Sequence, residues 1–319
     1  MDTLTRRAFL GKACVLTAGG IVADGIPDAA LAAAASEPNI SFPTEPRARI
    51  AIASYPFRAY INSPSSPGRD EHPAKMELLD FPAHVVAKFG IHNIEPLGQQ
   101  FLSLQPQYLE SFRKRLERAN VRVVNIPASV HHSFYDAAVA SREMAVENAK
   151  KWVDAAVHLG SPGIRTHVAR AKNSKPDVQR AAETLSKVAD YAAGKNIVVT
   201  LENDDLVSED AFFLVKVIEA VKNPYLRALP DFANSMLTGD ADFNYRALTE
   251  MFQHAYNICH IKDGEAGDNG KQFDVDLKKS FDILKASGYR GYCSMEYDAP
   301  GDPYAPTAKL IEQTLTYLS

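Results

Sequence analysis

The chain has 319 residues, of which 46% are hydrophobic and 23% are charged, and its formal net charge is −4. This composition suffices for one large domain or two ordinary ones and excludes global disorder. The slightly acidic balance argues against nucleic acid as a partner, because phosphate binding needs a basic face. Three cysteines without a CxxC pair exclude a disulfide scaffold and a cysteine-type zinc cluster.

The beginning of the chain has the pattern of an export signal. Arg6 and Arg7 precede a weakly apolar stretch, and a run of small residues follows at 29–35. A charged start, an apolar middle and a small-residue end are the parts of a secretory signal, and the adjacent arginines resemble a twin-arginine signal. We therefore predict a cleavable twin-arginine (Tat) signal over 1–35 and a linker over 36–48. The predicted partner is the Tat export machinery, and the predicted location is the periplasm or another exported site. The apolar stretch is too short for a stable membrane anchor.

From residue 49 onward, short β-rich runs alternate with amphipathic helical runs. In the helical runs apolar residues recur every three or four positions, as at Leu185, Val188 and Ala192, which is the spacing of one buried helix face. The predicted strands lie at 49–55, 92–96, 121–127, 163–168, 196–202, 226–231, 256–262 and 290–296. Eight strand–helix units over 49–319 predict an α/β fold, a single (β/α)8 TIM barrel.

An open doubly wound sheet is the alternative architecture. It usually has fewer strands and a glycine-rich phosphate loop after the first one. In this chain the first predicted strand instead runs into a long loop over about 57–77 that is rich in Pro, Ser and Gly. We predict that this loop forms a lid over the barrel mouth.

Acidic and imidazole side chains cluster at the carboxyl ends of the later strands, where barrel enzymes carry their chemistry. Strand alternation allows four of them to point inward and converge: Glu202, Asp231, His260 and Glu296. Buried acids without partners cost several kcal/mol each, so a divalent cation is the simplest compensation. Three carboxylates and one imidazole favour Mn²⁺, with Mg²⁺, Co²⁺ or Zn²⁺ as alternatives. The competing interpretation is a buried salt-bridge network with Arg165 and Lys262.

These four residues also carry a family resemblance. Glu202 in V-V-T-L-E-N, Asp231 in L-P-D, His260 in H-I-K-D and Glu296 in S-M-E-Y resemble the xylose-isomerase-like TIM-barrel superfamily. That superfamily includes sugar-phosphate isomerases and epimerases and the endonuclease IV type of AP endonuclease. The resemblance implies that the four residues hold one divalent metal. It also implies that Glu202 and Glu296 are catalytic and move a proton at the carbon beside a ketone.

The chain departs from the family pattern at several positions. Asn234 and Asp204 stand where many members carry histidine, and no arginine occurs between Lys262 and Asp268, where epimerases of the group carry one. Asp274-Val275-Asp276 replaces the Asp-x-His of endonuclease IV, which disfavours DNA repair. Because of these departures, a lyase activity remains an alternative to an epimerase activity.

We further predict that five residues contact substrate hydroxyls: Glu95, His131, His167, Asn234 and Lys262. Three of them have structural alternatives. Glu95 could pair with Arg58, His131 could belong to a solvated loop, and His167 could be a core histidine bonded to a neighbour.

The resemblance and the sequence together favour a metal-dependent isomerase or epimerase. Because no basic or glycine-rich phosphate cradle is evident, its small-molecule partner is expected to be an unphosphorylated sugar or keto-sugar. A 3-keto-glycoside lyase with the same metal site is the first alternative, and a non-catalytic periplasmic sugar-binding module is the second. The sequence does not predict the oligomeric state.

Overall fold

The computed structural model describes residues 36–64, 76–267 and 270–319. The predicted export signal over 1–35 lies outside the described residues, as does the part of the predicted lid at 65–75. In the described ranges strands alternate with helices. None of the helices in these ranges has the length and apolar character needed to cross a membrane.

Each of the eight predicted strand segments contains a strand, and the third segment contains one short strand and the first residue of a second. The strands are β1 (Ile50–Ala53), β2 (Asn93–Glu95), β3 (Arg122–Val123), β4 (Pro127–Ala128), β5 (Gly163–Thr166), β6 (Val198–Glu202), β7 (Leu226–Leu229), β8 (Ile258–Ile261), β9 (Gly264–Ala266), β10 (Gln272–Asp274) and β11 (Tyr292–Met295). The antiparallel pair β9–β10 was not predicted from the sequence.

The helices follow the predicted apolar stripes. They are α1 (Phe81–Phe89), α2 (Pro106–Ala119), α3 (Val139–Leu159), α4 (Val178–Ala193), α5 (Ala211–Val221), α6 (Ala241–Gln253), α7 (Leu277–Ala286) and α8 (Tyr304–Leu318). The Asp177 side chain accepts a hydrogen bond from the Arg180 N–H and so caps the start of α4. Helix α3 ends at Gly160, whose φ of 71° is the left-handed conformation that favours glycine.

The strands close into a barrel. One parallel sheet has the order β3-β2-β1-β11-β8 and the other has the order β4-β5-β6-β7. Because β3 and β4 belong to one chain segment, the two sheets meet there. Single bridges join them at the other seam, Ala228 to Ala255 and Asp231 to His260. The fold is therefore the α/β TIM-barrel type, with parallel strands inside and helices outside.

Side-chain alternation along the strands separates two apolar layers. The inner layer lies inside the barrel and consists of Ala51, Val124, Leu229, Ile258 and Tyr292. The larger outer layer packs between strands and helices and includes Cys259 and Cys293. These two thiols are buried and free, with 3.9 Å between their Sγ atoms. They therefore face away from the barrel interior, as the alternation predicts.

The segment predicted as a linker contacts the amino-terminal end of the barrel. The Phe42 ring packs edge-on against Tyr256 at 5.4 Å and against Tyr292 at 5.9 Å between ring centroids. The backbone of Asn39 exchanges two hydrogen bonds with the Asn196 side chain. Phe42 thus covers the apolar inner layer at this end.

Candidate functional site

A cavity of about 600 Å³ opens at the carboxyl ends of the barrel strands. Its wall combines five carboxylates with three fixed cations, namely Glu202, Asp204, Glu265, Glu296, Asp298, Arg58, Arg165 and Lys262. The apolar inner layer fills the opposite end of the barrel. The polar cavity is thus the place where this fold holds its chemistry, and its wall carries an excess of negative charge.

Four side chains from the last four barrel strands converge at the bottom of this cavity. Glu202 ends β6, Asp231 follows β7, His260 lies in β8 and Glu296 follows β11. Each is at most 6% exposed, and each offers a ligand atom within 4.8 Å of the others. The structure therefore brings together all four residues that the sequence predicted as metal ligands, and this group is called the four-ligand cluster below.

Asp231 is held with one oxygen bound and one oxygen free. Its Oδ1 accepts hydrogen bonds from the backbone N–H groups of Ala233 at 2.8 Å and Asn234 at 2.7 Å. Its Oδ2 is buried without a hydrogen-bond partner. The nearest cations to that oxygen are Lys262 Nζ at 3.5 Å and the His260 ring at 3.7 Å. A buried carboxylate oxygen without a partner is costly, and a cation in the cluster would satisfy it.

The His260 ring is fixed from both sides. Its Nδ1 faces Glu202 at 2.8 Å and Glu296 at 3.1 Å, and its Nε2 faces Glu95 at 3.0 Å. Glu95 also accepts a hydrogen bond of 2.7 Å from the Asn125 amide. A proton on Nε2 donated to Glu95 leaves Nδ1 directed at the cluster, as in metal sites where a carboxylate orients the ligand histidine.

The structure places Glu95 differently from the predicted cavity wall. The residue is 1% exposed, faces His260 and is not among the described residues that line the cavity. It also does not pair with Arg58, whose guanidinium binds Asp298 at 3.0 Å. The sequence placed Glu95 correctly at a strand end but could not show which residue it would face.

The groups of the four-ligand cluster shift one another's pKa in opposite directions. Burial raises the pKa of Glu202, but Arg165, His260 and Lys262 outweigh it and hold the pKa below its usual range. Burial raises the pKa of Asp231 to about 7, with Lys262 opposing and Glu202 and Glu296 reinforcing the change. Burial lowers the pKa of His260, but the surrounding glutamates raise it well above its ordinary value. Negative charge thus accumulates where the four side chains meet.

Two of the residues predicted to contact substrate, Lys262 and Asn234, line one side of the cavity. The Lys262 ammonium donates to Asn234 Oδ1 at 2.8 Å and to Glu265 Oε2 at 3.0 Å, and it lies 3.5 Å from Glu296 Oε2. The Asn234 amide donates to Glu202 Oε1 at 3.2 Å. Both side chains are therefore oriented toward the cavity and linked to the four-ligand cluster.

Arg165 and His167 form the opposite side. Arg165 Nη2 lies 2.5 Å from Glu202 Oε2, and Arg165 Nη1 also contacts the His167 ring. The His167 side chain is 32% exposed and lines the cavity, so the structure places it where the sequence predicted. Arg165, expected only as a salt-bridge partner, is a wall residue that strand alternation could have identified, since it lies two residues before His167 on the same face.

The cavity wall also includes residues that were not predicted as site residues from the sequence. Tyr55 follows β1 and its hydroxyl donates to Asp298 at 3.2 Å, while the Arg58 guanidinium lies over the Tyr55 ring at 4.2 Å. The only feature of the sequence that could have identified Tyr55 and Arg58 is their position in the segment that follows β1. His131, in contrast, is exposed and is not among the described residues that line the cavity. The structure thus places His131 at the surface, and its substrate contact stays a prediction.

Comparison with known proteins defines the relationship of this chain. The family profile described as xylose isomerase-like TIM barrel matches residues 83–319. The chain belongs to this family. No significant match was found among curated proteins.

Solved structures show the same fold. The E. coli 3-keto-D-glucoside 4-epimerase aligns with a TM-score of 0.62 and 16% identity, over 84% of this chain and 99% of that chain. The D-allulose 3-epimerase from Methylomonas sp. gives 0.64 and 16%, over 87% and 100%. A Mycobacterium smegmatis xylose isomerase-like TIM barrel protein in complex with magnesium gives 0.64 and 17%, over 85% and 96%. At these identities the similarity establishes the shared barrel.

Proposed function

We propose that the four-ligand cluster binds one divalent metal ion through Glu202, Asp231, His260 and Glu296. The observation that carries this proposal is their convergence within 4.8 Å, together with the unpartnered Asp231 Oδ2. A dication would offset the excess of buried carboxylates, which is otherwise unfavourable. The oxygen-rich donor set suits Mn²⁺ best, with Mg²⁺, Co²⁺ and Zn²⁺ as alternatives.

We further propose that the protein is a sugar isomerase or epimerase that moves a proton at the carbon beside a ketone. A bound divalent cation supplies polarisation of the ketone and of a neighbouring hydroxyl. Glu202 and Glu296 both reach the cavity and can take a proton from that carbon and return one to it. Arg165 and Lys262 hold these carboxylates ionised through contacts of 2.5 Å and 3.5 Å. Two of the structural neighbours are named as epimerases of a keto-glucoside and of allulose.

The charge of the cavity supports an unphosphorylated substrate. Five carboxylates against three fixed cations repel a phosphate dianion, which needs a basic or amide-rich cradle. Sugar hydroxyls, in contrast, can donate to Asp204, Glu265 and Asp298 and accept from Lys262. We therefore propose a neutral sugar or keto-sugar as the substrate class.

A second cavity favours the lyase alternative, in which the substrate is a 3-keto-glycoside. This space of about 450 Å³ shares Asp204 and Leu237 with the first cavity and continues past Leu206 and Phe273. A free monosaccharide does not require an adjoining space, whose walls here combine Leu206 and Phe273 with the charged Arg170 and Asp205. A glycoside could place its ring at the cluster and its aglycone here, where elimination would release it after the same proton abstraction.

One experiment separates these functions. Protein purified without chelator is analysed for bound metal and then incubated in D₂O with a panel of keto-sugars and oxidised glycosides. Deuterium beside the ketone, with the sugar skeleton kept, supports the isomerase or epimerase. Release of an aglycone supports the lyase. Sugar binding with neither reaction, unchanged in Glu202→Gln and Glu296→Gln, contradicts both and supports a non-catalytic sugar-binding module.

Export remains a separate proposal that rests on the sequence alone. We propose that the arginine pair directs the chain through the twin-arginine route to an exported location. The test compares the location of the full chain with that of a variant carrying Arg6→Lys and Arg7→Lys, with Lys12→Arg as the control. Equal export of all three would contradict the proposal.

A further inference from the structure

A buried carboxylate outside the four-ligand cluster is aimed at a histidine of the cavity wall. Glu209 lies just before α5 and is 4% exposed. His167 Nδ1 lies 3.1 Å from Glu209 Oε1 and 3.2 Å from Oε2. The backbone N–H of Val168 donates to Glu209 Oε1 at 2.6 Å, and that of Asp205 donates to Oε2 at 3.4 Å. Two backbone groups therefore fix this carboxylate against the imidazole.

The charges around His167 select one tautomer. Its Nδ1 faces Glu209 and also Asp204 Oδ2, at 3.5 Å. Its Nε2 faces Arg165, a guanidinium that can only donate hydrogen bonds. A proton on Nδ1 is accepted by a carboxylate, whereas a proton on Nε2 would face a cation. The neutral ring therefore carries its proton on Nδ1, and its Nε2 lone pair accepts from Arg165.

We propose that His167 is a proton-transfer residue acting on a substrate oxygen and that Glu209 is its positioning residue. In this step a substrate hydroxyl replaces Arg165 as the donor to His167 Nε2, while Arg165 keeps its contact with Glu202. The hydroxyl proton then passes to Nε2, and the electrons of the O–H bond remain on the oxygen. The resulting imidazolium is stabilised by Glu209. The reverse step returns the proton to an oxygen of the intermediate or of a leaving group.

This inference rests on the proposed function and extends it. Removal and return of a proton at the carbon beside the ketone need only Glu202 and Glu296. An aldose–ketose isomerase must also move a proton between neighbouring oxygens, and a lyase must protonate the oxygen that leaves. Arg165 contacts both His167 and Glu202. His167, which would move a proton at a substrate oxygen, therefore lies near Glu202, which would move a proton at the carbon. A His167–Glu209 pair therefore favours reactions that include a proton transfer at oxygen.

A metal ion held by His167, Asp204 and Glu209 is the competing interpretation, because these three also offer clustered ligand atoms. The contact of Arg165 with His167 and its 3.6 Å distance to Asp204 disfavour a second dication, since the guanidinium charge is permanent. Backbone N–H groups already occupy both Glu209 oxygens. Metal stoichiometry in the full chain and in Glu209→Gln decides between the two interpretations.

The first test reads the tautomer without any substrate. The Mg²⁺-loaded full chain, labelled with ¹⁵N at histidine, is examined by NMR at mildly alkaline pH, and the His167 signals are assigned by their loss in His167→Gln. We expect a protonated Nδ1 and an unprotonated Nε2, and we expect Glu209→Gln to shift this balance toward the Nε2-protonated form. The Nε2 tautomer in the unaltered protein would overturn the proposal, even if the protein is an active epimerase.

The second test uses the substrate identified by the D₂O panel. We expect Glu209→Gln to lower kcat by about 10²-fold or more, with KM changed by less than about threefold, and to remove one limb of the pH profile. Gln keeps an acceptor for the Val168 N–H, and His167→Gln is the second variant if folding is impaired. The control is Glu219→Gln, which removes a different carboxylate near a histidine, His254, at 3.6 Å on the barrel exterior.

The outcomes distinguish this proposal from the proposed function. Normal kcat in both Glu209→Gln and His167→Gln overturns the His167–Glu209 proposal while leaving the epimerase intact. A second metal ion per chain that is lost in Glu209→Gln also overturns it. If no substrate is turned over, the proposed function fails, and the tautomer and metal measurements still decide the role assigned to the pair.

Discussion

The two ends of the barrel interior differ sharply although the same strands build both. At the amino end Ile258 and Tyr292 belong to the apolar inner layer covered by Phe42. Two residues further along β8, His260 lies in the four-ligand cluster, and Glu296 lies just beyond β11. Stability and chemistry are thus separated along the barrel axis, and substitutions at the two ends should change different observables.

The largest effect is expected at the polar end from Glu296→Gln. The change preserves side-chain size but removes a group that can accept a proton, so kcat should fall about 10²- to 10⁴-fold. Deuterium exchange beside the ketone is the measurement. Glu45→Gln, at the exposed amino end of the short 3₁₀ helix Pro46–Arg49 that precedes β1, is the matched control and should retain normal exchange. Unchanged deuterium exchange in Glu296→Gln would show that Glu296 does not take part in the proton transfer.

Asp231→Asn should separate metal binding from folding at the same end. Asn keeps an oxygen for the Ala233 and Asn234 N–H groups but loses the charge at the unpartnered position. At a metal concentration of about 1,000 times Kd, the unaltered protein should gain about 4 kcal/mol in free energy of unfolding. Most of that gain should vanish in the variant, as measured by denaturant titration with and without Mn²⁺. An equal gain in both proteins would exclude Asp231 as a ligand.

The contrast between the ends also explains how much the sequence revealed. Period-two alternation predicts that Ile258 and His260 share the inward face of β8, and helix stop residues such as Gly160 mark the repeating units. Barrel geometry then requires strand ends to meet. The fold and the convergence of the four predicted ligands therefore follow from local patterns.

Other features depended on contacts between distant segments. Glu95 faces His260, which is 165 residues away in the chain, and no local pattern distinguishes this from a cavity-facing carboxylate. The hairpin β9–β10 consists of two three-residue strands, too short for a periodic signal. His131 follows β4 but its loop turns outward. Loop direction is set by tertiary packing, and the residue type carries no information about it.

Glu95→Gln tests how far metal binding by the four-ligand cluster depends on the buried carboxylate that faces His260. Gln can still accept from His260 Nε2 but loses the charge that orients and polarises the ring, so affinity for Mn²⁺ should fall about 10- to 100-fold. Isothermal titration calorimetry of the metal-free protein gives the affinity directly. Glu45→Gln serves again as the control, with affinity expected to remain normal. Unchanged affinity in Glu95→Gln would mean that backbone packing alone orients His260.

The smallest effect is expected at the apolar end from Phe42→Ala. The ring contacts Tyr256 and Tyr292 but remains partly exposed, so its loss should lower the free energy of unfolding by about 1–2 kcal/mol, less than for a fully buried phenylalanine. Denaturant unfolding measures this change, and Phe42→Leu should recover part of it by refilling the space. Metal affinity and kcat should stay at their normal values in both variants, because the inner apolar layer lies between Phe42 and the four-ligand cluster. A fall in metal affinity in Phe42→Ala would show that the two ends are coupled through the barrel, and the separation of stability from chemistry would then be wrong.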